Sequence, residues 1–284
     1  MSREKTISLK TYEVDNKQIN KRRTSYFQPQ KPISKSLYLK LTLGSFIILL
    51  GIWSGLTYTN IVDPLFLPTP TSIITSGITL FTQFDFTNDI LITLYRVLAG
   101  FGLALLIGVP LGIFIGTYKV AEAFFEPVVS FVRYMPVSAF IPLFILWIGV
   151  GEMEKLAVIF FGSVFSIILM VAVEVSNVRR ELLEAAYTLG SSNVGVLKSV
   201  ILPASMPGIL DSIRLVLGWA WSYIIVAELI ATESGIGSVI IESQRMFQIG
   251  NIIFGILTIG ILGLISDVIL KKFGKKMFSW NYEG

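Results

Sequence analysis

The side chains able to do chemistry in this 284-residue chain are few, and most of them lie in unusual company. There is no histidine and no cysteine, which removes thiol nucleophiles, disulfide frameworks, zinc sites and histidine-based triads together. No GxxxxGKS/T run occurs either, so the chain carries no phosphate-binding loop of its own. What remains is a handful of charges set inside long apolar runs: Arg96, Arg133, Asp211, Arg214 and Glu228. A charge at the centre of a membrane helix costs at least about 2.5–3.5 kcal/mol, so each of these asks for a partner or a water-filled lining. The chemistry on offer is ion pairing and ion contact. No clustered nucleophile, base or metal set argues for catalysis, and neither a catalytic nor a metal site is expected.

Taken singly, these charges divide by spacing. Asp211 and Arg214 stand at i and i+3, on one face of a helix, and are expected to form a structural ion pair. Arg96, about a third of the way into its apolar run, suits contact with an anion or a snorkelling position at the interface. Glu228 has Ser222 and Tyr223 below it and Trp219 and Trp221 a turn further in. It either lines a watery path or accepts hydrogen bonds from the 232–238 segment. Arg96, Ser222, Tyr223 and Glu228 are thus the candidate lining residues. Arg133, just before Tyr134-Met135-Pro136, is expected to pair with a neighbour or a lipid phosphate. The run Ser234-Gly235-Ile236-Gly237-Ser238 lacks the lysine of a phosphate loop and reads as a flexible turn.

The elements that must position these residues are membrane helices. Hydrophobic residues make up 53% of the chain and charged residues 15%, with a mean hydropathy of +0.73, against roughly 25% charged in soluble domains. Stretches of about 20 apolar residues occur near 41–59, 89–117, 127–149, 155–176, 204–231 and 250–271. An all-α membrane protein of about six spanning helices follows, with one membrane domain over 41–272 and a short tail over 273–284. The first run starts too late and lacks a small-residue cleavage site, so it reads as an anchor.

Residues 1–40 form a basic tail of net charge +7 directly before the first apolar run, leaving −3 for the rest. Its placement favours retention on the cytoplasmic side of a bilayer over binding to nucleic acid. The connection from 60 to 88 holds Asp63 and Asp85 but no lysine or arginine. Lys119, Arg179, Arg180, Lys198 and Lys271 to Lys276 fall on the opposite side, which puts both termini in the cytoplasm.

Within the second run, Gly100, Ala104, Gly108, Gly112 and Gly116 recur every four residues, a small-residue stripe that lets another helix approach. Pro110, Pro136 and Pro142 are expected to kink their spans. Thr69-Pro70-Thr71-Ser72 reads as the cap of a short outer helix. The same topology leaves 177–203 in the cytoplasm as a polar island between apolar runs. Arg179 to Leu189 has helix-forming composition, Gly190 supplies a stop, and Ser191-Ser192 can cap a second short helix over about 193–200. Pro203 then fits the first turn of the next span. Such an element is suited to docking against a partner, with Ala185 and Ala186 keeping one face low.

The spacing Glu184-Ala185-Ala186, three residues, Gly190, nine residues, then Val200, any residue and Leu202-Pro203 resembles the signature of permease subunits of ATP-binding-cassette importers. Val200 stands where isoleucine is usual. Outside the island, Leu67-Pro68-Thr69-Pro70, Arg96 to Phe101, Ile141 to Glu152 and Val226-Ala227-Glu228 are similar to the nitrate, sulfonate and taurine branch. The resemblance implies a type I importer permease fold and a coupling role for Glu184, Ala185, Ala186, Gly190, Leu202 and Pro203. It also implies a second permease copy, an extracytoplasmic substrate-binding protein, and separate ATPase subunits that hold ATP and magnesium, with no cofactor on this chain. The bacterial plasma membrane is the implied site. The rival reading is a stand-alone secondary transporter or channel, which would call for intramembrane ionisable relays and often repeats.

Overall fold

The computed structural model describes residues 33–230 and 234–279. The basic tail up to residue 32, residues 231–233 and the last five residues lie outside it. Every described element is helical. The chain divides into two compact units, Met1–Ile61 and Val62–Gly284.

The first unit contributes one described helix, α1 (Lys35–Tyr58), whose Ser34 hydroxyl accepts the Leu37 N–H. It is apolar on all sides, the pattern of a helix facing lipid.

The second unit opens with α2 (Pro70–Gln83), capped by the Thr69 hydroxyl on the Ser72 N–H, as the Thr-Pro-Thr-Ser spacing predicts. Next come α3 (Phe86–Thr117), α4 (Lys119–Arg133), a single 3₁₀ turn (Val137–Phe140), α5 (Ile141–Ile148) and α6 (Glu152–Ser176). Two short elements follow, α7 (Arg180–Thr188) and α8 (Asn193–Val196). A π-type turn over Leu197–Ile201 runs directly into α9 (Leu202–Ile230), and α10 (Ile236–Arg245) and α11 (Ile249–Met277) complete the chain.

Among the described residues, five helical stretches are long and apolar enough to span a bilayer: α1, α3, α6, the continuous Asn193–Ile230 stretch, and α11. The span expected over 127–149 is not one helix. It is two pieces, Lys119–Arg133 and Val137–Ile148, that meet at 83°. Pro136 explains the break, because it lacks an amide hydrogen and drives the residue before it out of the helical region. Pro142 sits in the first turn of α5, where a missing donor costs little. Pro110 lies inside the unbroken helix α3.

The glycine stripe of α3 faces α6. A β-carbon on Gly108 would stand 2.8 Å from Ile167, and one on Gly112 would stand 2.7 Å from the carbonyl oxygen of Ile168. The two helices therefore pack backbone to backbone along most of their length. Around this seam Val97, Phe101, Ala104, Ile159, Val171, Val216, Ala220 and Ile224 form the buried core, which also ties in α9. A second cluster of Leu80, Phe86, Ile236 and Ile240, with Phe254 against it, joins α2 and α10 to α11.

Candidate functional sites: a coupling element, a charged knot and a hollow

The 177–203 island forms two short helices, and its turn has identifiable chemistry. Gly190 adopts φ +82°, in the left-handed region that favours glycine. Its N–H donates to Tyr187 O at 2.9 Å, and the Ser191 N–H donates to Ala186 O at 3.0 Å. These two bonds form a Schellman closure of α7. The Ser192 hydroxyl then accepts the Gly195 N–H at 3.2 Å and starts α8. Ala186 and Val196 are buried, fastening the element to the bundle, while Glu184, Ala185 and Gly190 are exposed. Leu189 is 87% exposed and Val194 56%. Among the described residues no ion pair joins Glu184 to Arg179 or Arg180.

Pro203 stands in the first turn of α9, as its spacing predicts. The chain passes from α8 into α9 without a break, and Leu202 donates to Leu197 O, five residues back. The proline ring would crowd the carbonyl four residues before it, Ser199, and a widened turn just ahead of the proline relieves that clash.

At the opposite end of α6 and α9, Arg96 and Glu228 are brought together. Arg96 is 1% exposed and Glu228 0%, so both are buried in the single chain, and Glu228 accepts a hydrogen bond from the 234–238 segment, the second of its two readings. Arg96 spends all five of its N–H donors. Nε and Nη2 form a fork on Glu152 at 2.8 and 2.5 Å. Nη1 donates to Glu228 Oε1 at 2.7 Å and to Ser234 O at 2.8 Å, and Nη2 donates also to the Ser234 hydroxyl at 3.0 Å.

Glu228 accepts in addition from the Thr93 hydroxyl at 2.9 Å and from the Gly237 N–H at 2.8 Å. The Gly235 N–H donates to Asp89 at 2.7 Å, and the Ile236 N–H to Thr93 at 2.9 Å. Side chains of α3 and α9 thus satisfy the free N–H groups at the start of α10, which no cap of its own side chains serves. The segment 234–238, expected as a flexible turn, is the fastened start of a helix. Asp89, Thr93 and Glu152 were not singled out by the sequence. Asp89 and Thr93 fall on the α3 turns beside Arg96, a weak signal, and Glu152 follows Gly149 to Gly151 at a helix start.

Arg214 donates to Asp211 at 2.7 Å and, through Nε and Nη2, to both oxygens of Asp267 at 2.9 and 3.2 Å. Asp267 is the only acidic residue in the last apolar run, and that isolation was its signal. The triad links α9 to α11.

Ser222 and Tyr223 are not part of the knot. They stand a turn and a half below Glu228 on α9, with Trp219, and face a hollow of about 340 Å³ completed by Ser166 of α6 and by Arg133 and Tyr134 from the break after α4. Among the described residues no group of acidic side chains could hold a metal ion.

Apolar helices of spanning length, a broken span and a two-helix element between spans are the features of a multi-pass membrane protein. Residues 108–279 match the family described as the inner membrane component of binding-protein-dependent transport systems, and the chain belongs to that family. A probable ABC transporter permease protein of Brucella melitensis biotype 1 is 37% identical over 242 residues, 85% of this chain and 97% of the relative. The taurine transport system permease protein TauC of Escherichia coli K12 is 27% identical over 94% of this chain and 98% of its own. Among solved structures, an inward-facing MetNI methionine ABC transporter chain matches with a TM-score of 0.55 at 18% identity, covering 68% of this chain and 94% of that one. That likeness concerns the fold.

Proposed function

We propose that this permease imports a small organic or inorganic oxyanion, of which the sulfonate class is the foremost, as one of two identical copies lining a shared path. The sulfonate assignment is supported by the taurine permease relative, which aligns over nearly the whole of both chains. An extracytoplasmic binding protein delivers the anion, and separate ATPase subunits, which hold ATP and magnesium, drive the cycle. Both termini lie in the cytoplasm of a bacterial cell, in accord with the distribution of lysine and arginine.

The single observation that carries the coupling role is the tip of the 180–201 element. A polar projection closed by Gly190 and bearing Leu189 at 87% exposure is unsettled in water and suited to a groove on a protein partner. Glu184, Ala185, Ala186 and Gly190 form the engaging surface, while Leu202 and Pro203 relay its movement into α9. Rigid-body motion of α7 and α8 would tilt α9 and alternate access between the two sides.

The test is co-purification with a co-expressed ABC ATPase subunit from the same organism, followed by ATP hydrolysis in nanodiscs. Wild type is expected to capture the ATPase, whereas Glu184→Arg and Gly190→Arg should lose both capture and uptake yet still insert into the membrane. Normal uptake by both variants would refute the coupling surface. Transport by this chain alone in liposomes, driven by an ion gradient, would favour a stand-alone secondary transporter.

A further inference from the structure

Arg133 stands outside both ionic clusters. Its guanidinium touches only the neighbouring Tyr134, lying 4.9 Å over the ring and 3.3 Å from the hydroxyl. It forms no ion pair with any described residue and is exposed. Yet it sits beside Ser166, which lies ten residues from one end of α6 and fourteen from the other. At 1.5 Å per residue that is about 15 Å and 21 Å from the ends, deep within a hydrocarbon layer about 30 Å thick. An arginine facing the middle of α6 without a carboxylate calls for a watery lining.

The surroundings supply one. The 340 Å³ hollow is lined by Arg133, Tyr134, Ser166, Trp219, Ser222 and Tyr223. Every polar side chain among them can donate a hydrogen bond, and none is acidic. A β-carbon at Gly162 would meet the Tyr223 ring at 2.6 Å, so this glycine opens the α6 surface for the ring that forms one wall. The 83° break supplies the opposite side, because ending α4 at Arg133 turns that residue into the bundle's hollow.

We propose that this hollow is a transient station for the translocated anion, in which Arg133 holds a small monovalent oxyanion by its planar fork, aided by the Ser222 and Tyr223 hydroxyls. Fork geometry matches two oxygens of a sulfonate, nitrate or bicarbonate group. An arginine with no carboxylate on the lining disfavours cations. The inference rests on the reading of this chain as a wall of a transport path.

The chain's lack of cysteine makes a direct test possible. Ser222→Cys is introduced into the complete transporter, and its reaction with 2-sulfonatoethyl methanethiosulfonate is compared with that of the trimethylammonium reagent, each rate normalised to a free thiol. The anionic reagent, itself an ethanesulfonate, is expected to react about tenfold faster, as field focusing in a cleft allows. Arg133→Gln should abolish that preference and Arg133→Lys should keep most of it. Gly218→Cys, one turn away on the same face, where an added β-carbon meets open space, serves as a second reporter should Ser222→Cys fail to assemble. Modification by neither reagent at either position would overturn the proposal, as would an anion preference that survives Arg133→Gln. Indifference of the labelling rates to ATP binding would count against the transport-path reading instead, so the two failures are told apart. A lipid-facing Arg133 would show itself by labelling only with membrane-permeant reagents, which also overturns the station.

Discussion

At the scale of single residues, the Arg96 knot is a buried ionic network in which every donor is matched, and its energetics follow from that completeness. Pairing recovers the desolvation of both charges, whereas removing one partner leaves an uncompensated charge in the interior, at a cost of about 3–5 kcal/mol. Glu228→Ala and Arg96→Ala are each expected to lower the thermal unfolding midpoint of the purified chain sharply. Removing both charges together, in Arg96→Ala with Glu228→Ala, should cost less than the two single losses combined. A double-mutant cycle reads this out, and additive losses would show that the two groups act independently. Arg96→Lys should not rescue, because a single ammonium cannot fork on Glu152 while also reaching Glu228 and Ser234.

At the scale of elements, two backbone devices set how helices meet. The α3 stripe permits an approach so close that a side chain at Gly112 would strike the Ile168 carbonyl. Backbone cannot rotate aside, so Gly112→Val is expected to destabilise by about 1–3 kcal/mol, the usual cost of overpacking, seen as loss of folded protein in detergent. The other device is the π turn ahead of Pro203. With Pro203→Ala the ring clash disappears and the turn can tighten to α, rotating α7 and α8 relative to α9 by about 100° per residue of register. ATPase capture is expected to survive this change while uptake falls, and unaltered uptake would show that the turn carries no motion.

At the scale of the whole molecule, the proposed function makes one chain half of a path. Ser222 and Trp219, along the middle of α9, and Arg133, at the end of α4, are exposed, positions that suit a second permease copy across a watery gap. Native mass spectrometry of the purified transporter is expected to show two copies of this chain with two ATPase subunits. A mass corresponding to one copy beside a different permease would replace the homodimer. The exposed Leu189 and the buried knot lie at opposite ends of the same helices. One end thus carries the exposed tip to which the coupling role is proposed, while the other end is fastened by charge.

The sequence by itself determined what depends on local pattern. Apolar runs of spanning length, the Thr69 cap, the Gly190 stop and the i, i+3 pair of Asp211 and Arg214 follow from composition and spacing, because each involves neighbours a few residues apart. The small-residue stripe likewise named its own face. Only the tertiary structure decided which charges meet. Arg96 and Glu228 are 132 residues apart in the chain, and nothing in either local sequence separates a lining residue from a buried pair. Arg133 was read as the partner of a neighbour or of lipid, and only the folded bundle sets it beside Ser166 and Tyr223. Ion pairing between distant helices depends on the packing that brings them together, and in this chain a proline break and a glycine seam govern that packing.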